Sequence, residues 1–432
     1  VPILGRNHWE KEMSELNHEL FNLAMSTEAQ SLMDAVKHHI MENVEPIREE
    51  FDMLHKQLPG HWEWHPRQLE LLDGAKQKAR EAGLWNFFLP NSDFGSSLTN
   101  LDYAYIAAEL GKWDVGSHLN ASETLNCMAP DTGNMEVLER TGTPEQKKQW
   151  LEPLLNGEIR SAYAMTEPAL PSSDARNISA SAVLDGDEWV INGEKYWISG
   201  AGDPRCKIMI VMVKTSPGAA PHRQQSQILV PKDTPGVEII EGMKVFGDDH
   251  APYGHMHLRL NKVRVPKENI LLGEGRGFEI SQLRLGPGRI HHCMRTIGKT
   301  ELALELMCKH AGSRVAFGKP IAKLGKNVEV IARARIDINA MRLSVLQAAK
   351  AMDVLGNKEA RVYVSAVKAM VPEKSCQIID QAMQMHGAIG ISHWTPLAEL
   401  YADIRHLRYA DGPDEVHHMV VGRAELQKHD RW

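Results

Sequence analysis

The chain has 432 residues, 43% of them hydrophobic and 24% charged, with a formal net charge of −7. Such a composition folds rather than staying disordered, and the length suggests two to four domains. The acidic balance argues against a nucleic-acid surface, and no apolar run approaches the roughly 20 residues of a membrane helix.

Along the chain, apolar residues first recur with helical spacing. Leu32, Val36, Ile40 and Val44 make one stripe, after which Pro46 predicts a stop or kink. A polar-faced helix over 75–82 is closed by Gly83. The spacing over 101–110 predicts a helix ending at Gly111, and 145–155 another stopped by Asn156-Gly157. Residues 1–160 therefore read as a helical domain, with 1–26 as an arm or an extra helix.

The period changes near Tyr163. Asp185-Gly186 and Asn192-Gly193 each sit between alternating apolar runs, a strong hairpin signal. Further strands over 207–213, 227–230, 236–240 and 255–260, with Val263-Arg264-Val265 ending at Pro266, complete an antiparallel β domain over 161–276, in the manner of a small barrel. From Phe278 the spacing is helical again over 300–315, 328–355 and 359–386, with Leu343, Leu346 and Met352 on one broad face. Residues 277–432 read as an antiparallel four-helix bundle. The fold class is α+β: helices, then a β domain, then a helical bundle.

Cys127, Cys206, Cys293, Cys308 and Cys376 are scattered and odd in number, without a CxxC pair. They imply neither a disulfide framework nor a zinc ribbon, and a reducing compartment is expected. The chain begins at Val1 without a signal-peptide pattern, which fits a processed protein, an excised domain or a trimmed chain. His429-Asp430-Arg431-Trp432 is not a peroxisomal tripeptide. In His291-His292-Cys293 and His417-His418, neighbouring helical residues point about 100° apart, so neither run closes on one metal ion. Helix surfaces or subunit contacts are expected for them. Gly273-Glu274-Gly275-Arg276-Gly277 reads as an interdomain turn rather than a phosphate cradle.

Chemistry is concentrated in Arg405-His406-Leu407-Arg408-Tyr409-Ala410-Asp411-Gly412-Pro413-Asp414-Glu415-Val416-His417, where acids sit on a Gly-Pro turn after a basic helix. A carboxylate at such a turn can serve as a general base, or it can simply solvate the turn and cap the next helix. Three further segments bear on the choice: Tyr163-Ala164-Met165-Thr166-Glu167-Pro168, Lys195-Tyr196-Trp197-Ile198-Ser199-Gly200, and Leu285-Gly286-Pro287-Gly288-Arg289-Ile290-His291-His292. In this order and at these distances they resemble the acyl-CoA dehydrogenase family, flavoenzymes that oxidise acyl-CoA thioesters to 2-enoyl-CoA. The resemblance runs from about Leu32 to the end of the chain. Ala129-Pro130-Asp131-Thr132-Gly133-Asn134, Gly288 to His292 and Ala410 to Glu415 narrow it. They are similar to the branch of animal members ten and eleven, whose dehydrogenase domain follows a kinase-like domain, and to their bacterial relatives.

The reaction needs a base for the α proton and an acceptor for the β hydride, and no side chain accepts a hydride, so a cofactor must. The resemblance implies FAD, with Trp197 and Ser199 two apart on one strand face against the flavin. On the residues alone, a core tryptophan with a strand-end serine is the favoured reading. Met165 and Thr166 match the family's flavin-contacting strand end. Ser173 matches its serine near the cofactor and substrate phosphates; an N-cap hydroxyl is the alternative. Arg314 matches the arginine that grips the pyrophosphate of a neighbouring subunit's FAD, and Gln384, Gly387 and Gly390 match the segment near the adenosine. A glutamine usual in the family after Gly-Lys-Pro is Gly325 here.

The family's usual base is a glutamate before the turn glycine; here that residue is Asp411, one methylene shorter. Some relatives carry the glutamate on the preceding helix, close to Gly288, which has no side chain. Asp411 is thus the expected base, with Gly412 and Arg289 beside the substrate and Asp414 and Glu415 capping a helix from Val416. Hydrogen bonds to the thioester carbonyl would stabilise the enolate-like charge. The implied function is dehydrogenation of an acyl-CoA within fatty-acid β-oxidation, on long-chain or 4-hydroxyacyl substrates, with an electron-transfer flavoprotein as acceptor and a homo-oligomer (dimer or tetramer) as assembly. The expected location is soluble: mitochondrial or peroxisomal in a eukaryote, cytoplasmic in a bacterium. An acyl-CoA oxidase using oxygen, or a flavin-binding protein of the same fold with little dehydrogenase activity, are the alternatives.

Overall fold

The computed structural model describes residues 18–58, 60–89, 94 and 98–429. Most of the expected N-terminal arm therefore lies outside the described residues. The first stripe forms α1 (Thr27–His39), with the Ser26 hydroxyl capping it by accepting from the Ala29 N–H. Pro46 does not end the run: a π-helical turn over Ile40–Val44 passes into α2 (Glu45–His55), and the wider turn just before the proline accommodates its missing N–H. α3 (Pro66–Glu81) closes at Gly83, whose φ of 72° suits a residue without Cβ. α4 (Asn100–Trp113), α5 (Asp131–Thr141) and a helical run over 144–155, called α6, complete this part.

Gly111 is not the end of α4 but lies inside it. A Cβ there would stand 2.1 Å from the Arg295 carbonyl oxygen, and one on Gly298 would stand 1.8 Å from that of Ala108. The two glycines face each other across α4 and α7 (Gly277–Ser313) and let these backbones touch. Ile106 and Leu110 share one core with Ile290, Met294 and Ile297, so the first and last helical parts are a single packed body.

The middle part is a seven-stranded sheet: β1 (Arg160–Ala164), β2 (Ser181–Asp185), β3 (Glu188–Ser199), β4 (Cys206–Lys214), β5 (Gln225–Pro231), β6 (Val237–Met243) and β7 (His255–Pro266). The order is β1-β4-β2-β3-β7-β6, with β5 also on β4. Most pairings are antiparallel, but β1 and β2 meet β4 parallel. Asp185-Gly186 makes the expected hairpin, Asp185 pairing with Glu188. Asn192-Gly193 does not turn the chain: β3 runs through it with a register shift against β7. A bulge absorbs the extra residue, and Gly193 packs where a Cβ would stand 2.5 Å from that of Ala180.

After α7 come a small ribbon, β8 (Val315–Ala316) and β9 (Lys319–Pro320), and α8 (Asn327–His386), which breaks at Gly356 (φ 77°). Leu346 and Met352 face the core, whereas Leu343 is exposed, because positions 343 and 352 fall on opposite sides of a 3.6-residue helix. α9 (Leu397–Leu407) and α10 (Asp414–Gln427) flank the turn that carries Asp411. None of the described helices is long and apolar enough to cross a membrane.

Gly298→Ala is expected to force α4 and α7 apart, costing at least about 1–3 kcal/mol. A lowered urea midpoint would register the change; an unaltered one would mean this crossing is not tight.

Candidate active site

A cleft of about 1840 Å³ opens between the sheet, α7 and the 408–413 turn. Its sheet wall rests on a buried pair. Lys195 is fully buried, its Nζ 2.8 Å from Glu167 Oε1 and donating to the carbonyls of Met165 (2.9 Å) and Met212 (2.7 Å). Burial lowers the Lys195 pKa to about 8, with Glu167 opposing. Glu167 also accepts from the Ser179 and Ala180 N–H groups. These bonds tie the 165–180 loop to β3, immediately before the exposed ring of Trp197.

Trp197 takes a left-handed φ of 57° at a second register shift between β3 and β7. Its indole is 38% exposed and lines the cleft together with Ser199, Thr166 and Met165. The Thr166 hydroxyl donates to the Tyr196 carbonyl, and the Tyr196 N–H returns to the Thr166 carbonyl at 3.1 Å. Ser199 Oγ lies 2.8 Å from His255 Nδ1. In the loop, buried Ser172 accepts from the Glu167 N–H, and Asp174 caps the following short helix. Ser173 is left exposed on the cleft wall, so the capping reading of it does not hold.

Opposite stands Asp411, its side chain 13% exposed. Oδ1 is 3.5 Å from an Arg284 nitrogen and Oδ2 is 3.4 Å from His292 Nε2. Among the described residues Oδ2 has no hydrogen-bond partner. Burial disfavours this charge, but His292, Arg284 and Arg289 outweigh it and hold the carboxyl well below the usual carboxylate range. A Cβ on Gly288 would meet Oδ2 at 2.9 Å, so the carboxylate occupies the space that a side chain at 288 would fill. Arg289 Nε donates to the Asp411 carbonyl at 2.8 Å. Gly412, at φ 109°, packs against His417, whose Nε2 a Cβ would approach to 3.0 Å.

Arg284 is itself held. It lies over the Tyr163 ring at 4.3 Å, donates to Asn134 at 3.3 Å and packs on Gly133. Asn134 in turn donates to Ser161 Oγ, and Asp131 accepts from Ser161 and pairs with Arg160. The segment Asp131 to Asn134 thus supports the arginine that faces Asp411.

Family models place the same three parts on this chain: acyl-CoA dehydrogenase N-terminal domain over 26–158, middle domain over 162–262 and C-terminal domain over 275–426. The chain belongs to the acyl-CoA dehydrogenase family. It is 52% identical over 360 residues to FadE2 of Mycobacterium tuberculosis, covering 83% of this chain and 86% of that one. It is 48% identical over 412 residues to mouse acyl-CoA dehydrogenase family member 10, covering 94% of this chain but only 38% of the relative. A solved chain from Mycobacterium abscessus, assigned to the acyl-CoA dehydrogenases, superposes with a TM-score of 0.88 at 47% identity, covering 94% of this chain and all of that one.

The structure brings Met165, Thr166, Ser173, Trp197, Ser199, Arg289, Asp411 and Gly412 around one cleft. Arg314, Gln384, Gly387 and Gly390 do not line it. Exposed Arg314 follows α7, whose His310 stacks at 4.2 Å on His386, the last residue of α8. Asp414 and Glu415 occupy the first turn of α10; Asp414 is buried and pairs with Arg408 at 2.6 Å rather than capping.

The histidine runs depart from expectation. His291, His292 and His417 are not surface or contact residues: His291 packs edge-on to Tyr103, His292 meets Asp411, and His417 backs Gly412. Burial holds His417 down to about 3, helped by Arg289 and Lys368. The sequence reading passed over Arg284 and His292, although their spacing of four on either side of Gly288 puts all three on one helix face.

Lys195→Met should cost about 3–5 kcal/mol, because it strands the Glu167 charge in the interior. Adding Glu167→Gln is expected to return part of that loss in the denaturant midpoint. If the double variant is no better than the single, the carboxylate is not the penalised group.

Proposed function

We propose that this chain dehydrogenates an acyl-CoA thioester to the trans-2-enoyl-CoA with FAD as cofactor, and that Asp411 is the base. The observation that carries the reading is the largely enclosed Asp411 carboxylate, its Oδ2 without a hydrogen bond, across a cleft from an exposed indole. The residues present suit a flavin: the Trp197 ring offers an aromatic wall, and the Ser199 and Thr166 hydroxyls and the 165–167 backbone offer polar contacts beside it. FAD held there would accept the β hydride. Arg314, Gln384, Gly387 and Gly390, away from the cleft, would serve the pyrophosphate and adenosine of a neighbouring subunit's FAD, which makes the working unit a homo-oligomer. Ser173 and Arg289 would face the coenzyme A side of the substrate.

Asp411 is the group placed to take the α proton, and Gly288 gives its carboxylate room to stand in the cleft. In the free protein Arg284 and His292 keep it ionised, so it is ready to accept a proton but is a weak base. An apolar acyl chain entering between them would displace water and strengthen it. His255, His406, Asp403 and Lys299 give the cleft a polar wall, with Lys299 Nζ 2.7 Å from Asp403, which supports an acyl chain bearing a hydroxyl. Mouse acyl-CoA dehydrogenase family members 10 and 11 are longer proteins, of which this chain spans 38% and 52%. The electron acceptor we infer is an electron-transfer flavoprotein.

One anaerobic titration tests the reading: the yellow protein is mixed with acyl-CoAs of increasing length, including 4-hydroxy forms, and the flavin band is followed. Bleaching is expected, and reoxidation in air should be slow; fast reoxidation would favour an oxidase, and no bleaching a flavin-binding protein. Asp411→Asn should keep flavin and ligand but lose bleaching by at least about a hundredfold, within the range general bases supply. Gly288→Ala should barely change stability, since Asp411 can swing aside, yet should slow bleaching about tenfold or more; an unaffected rate would mean the carboxylate position is not critical.

The acid limb of kcat/KM reports the free protein. With Asp411 held down by its cations, that limb should lie below about 4, the ordinary aspartate value. Its folded pKa is depressed, so its contribution to stability is present above the unfolded value and is lost as pH falls through the folded one. Arg284→Gln should move the limb up. A wild-type limb above pH ~6 would contradict the assignment.

A further inference from the structure

Lys368 has no place in the chemistry described so far. It lies on α8, completely buried, beneath the turn that carries Asp411. Its Nζ is 2.5 Å from the carbonyl oxygen of Leu407, the last residue of α9, and 3.4 Å from that of Gly412. Neither contact is to a carboxylate. A buried ammonium bonded to neutral carbonyls is costly, and its pKa is accordingly pulled down by burial. Such an ion persists where it holds something that would not hold itself.

The backbone between those two carbonyls fits that description. Asp411 has φ 56° and Gly412 φ 109°, two left-handed residues in succession, the first bearing a side chain. The chain reverses here from α9 into α10. Lys368 grips it on either side of the strained pair, and Arg289 Nε holds the Asp411 carbonyl between those points. The Leu407 contact also places a cation at the C-terminal, negative end of α9. Two cations, half-buried Arg289 from α7 and buried Lys368 from α8, thus fix three carbonyls in six residues, and the direction of the Asp411 side chain follows from that backbone.

We propose that Lys368 is a positioning residue: by clamping the Leu407 and Gly412 carbonyls it aims the Asp411 carboxylate into the cleft. It touches neither substrate nor cofactor. The inference rests on the reading of Asp411 as the base.

The test separates the two. A thioester with sulfur in place of the β carbon has no β hydride to give, but its α protons still exchange with heavy water, so exchange on the flavin-loaded protein reports the base alone. Lys368→Met keeps the length and removes the donors. It is expected to slow exchange tenfold or more, with ligand affinity within threefold of wild type and flavin content unchanged. Lys368→Arg, which keeps a cation and donors, should recover part of the rate. Asp411→Asn is run beside them. If Asp411→Asn loses exchange while Lys368→Met keeps the wild-type rate, the clamp is wrong and the base assignment stands. If Asp411→Asn retains exchange, the base is elsewhere and the proposal falls with it. Equal losses of affinity and exchange in Lys368→Met would mark a general structural role and also overturn it. Should Lys368→Met not fold, Lys368→Gln, with one amide donor set left, takes its place under the same outcomes.

Discussion

A buried carboxylate is kept charged only by its neighbours, and the site of this protein is arranged around that requirement at Asp411. Taking such an ion out of water costs several kcal/mol even after relaxation. An arginine nitrogen at 3.5 Å returns roughly 5 kcal/mol of gross attraction at an effective dielectric of about 20, and His292 and Arg289 add to it. The balance favours the ionised form, yet it leaves the buried Oδ2 without a hydrogen bond. A purely structural ion pair would close that gap. Under the proposed role of Asp411 as base, that open oxygen is where the proton would be received.

The rest of the architecture serves the two walls of that space. Arg284 reaches the carboxylate from α7, but its place depends on Tyr163 of β1 and on Asn134 of α5, so all three parts of the chain meet at one guanidinium. The facing wall depends on the Lys195–Glu167 pair, which also bonds the backbone of Met165, Met212, Ser179 and Ala180. Lys195 behind the sheet wall and Lys368 behind the Asp411 turn both bond mainly backbone carbonyls. Such contacts fix conformation more than they add stability, which suits a site where a displacement of an ångström in a catalytic group is costly.

Legibility in the sequence followed the range of the forces involved. The stripes of α1 and of 145–155, the Asp185-Gly186 hairpin and the helical return after Phe278 depend on neighbours a few residues away, and they were readable. The misreadings arose where tertiary contact outweighed a local signal. Asn192-Gly193 looks like a turn in isolation, but pairing with β7 carries the strand through it as a bulge. Gly111 resembles a stop, yet it is a contact point for another helix. The histidine runs look like polar surface, but His291 and His417 are enclosed by elements distant in sequence.

The amino-acid order by itself determined the three-part layout and the family, because segments around Thr166, Trp197, Arg289 and Asp411 carry their signal in spacing along the chain. It also singled out the acid on the turn. What tertiary structure alone decided is the company that acid keeps: Arg284 and His292 beside it, Gly288 yielding it room, Lys368 and Arg289 beneath its backbone. Those contacts join residues 43 to 127 positions apart, from Lys368 to Arg284. No local periodicity encodes such distances; they exist only once the helices have packed and the interior has excluded water.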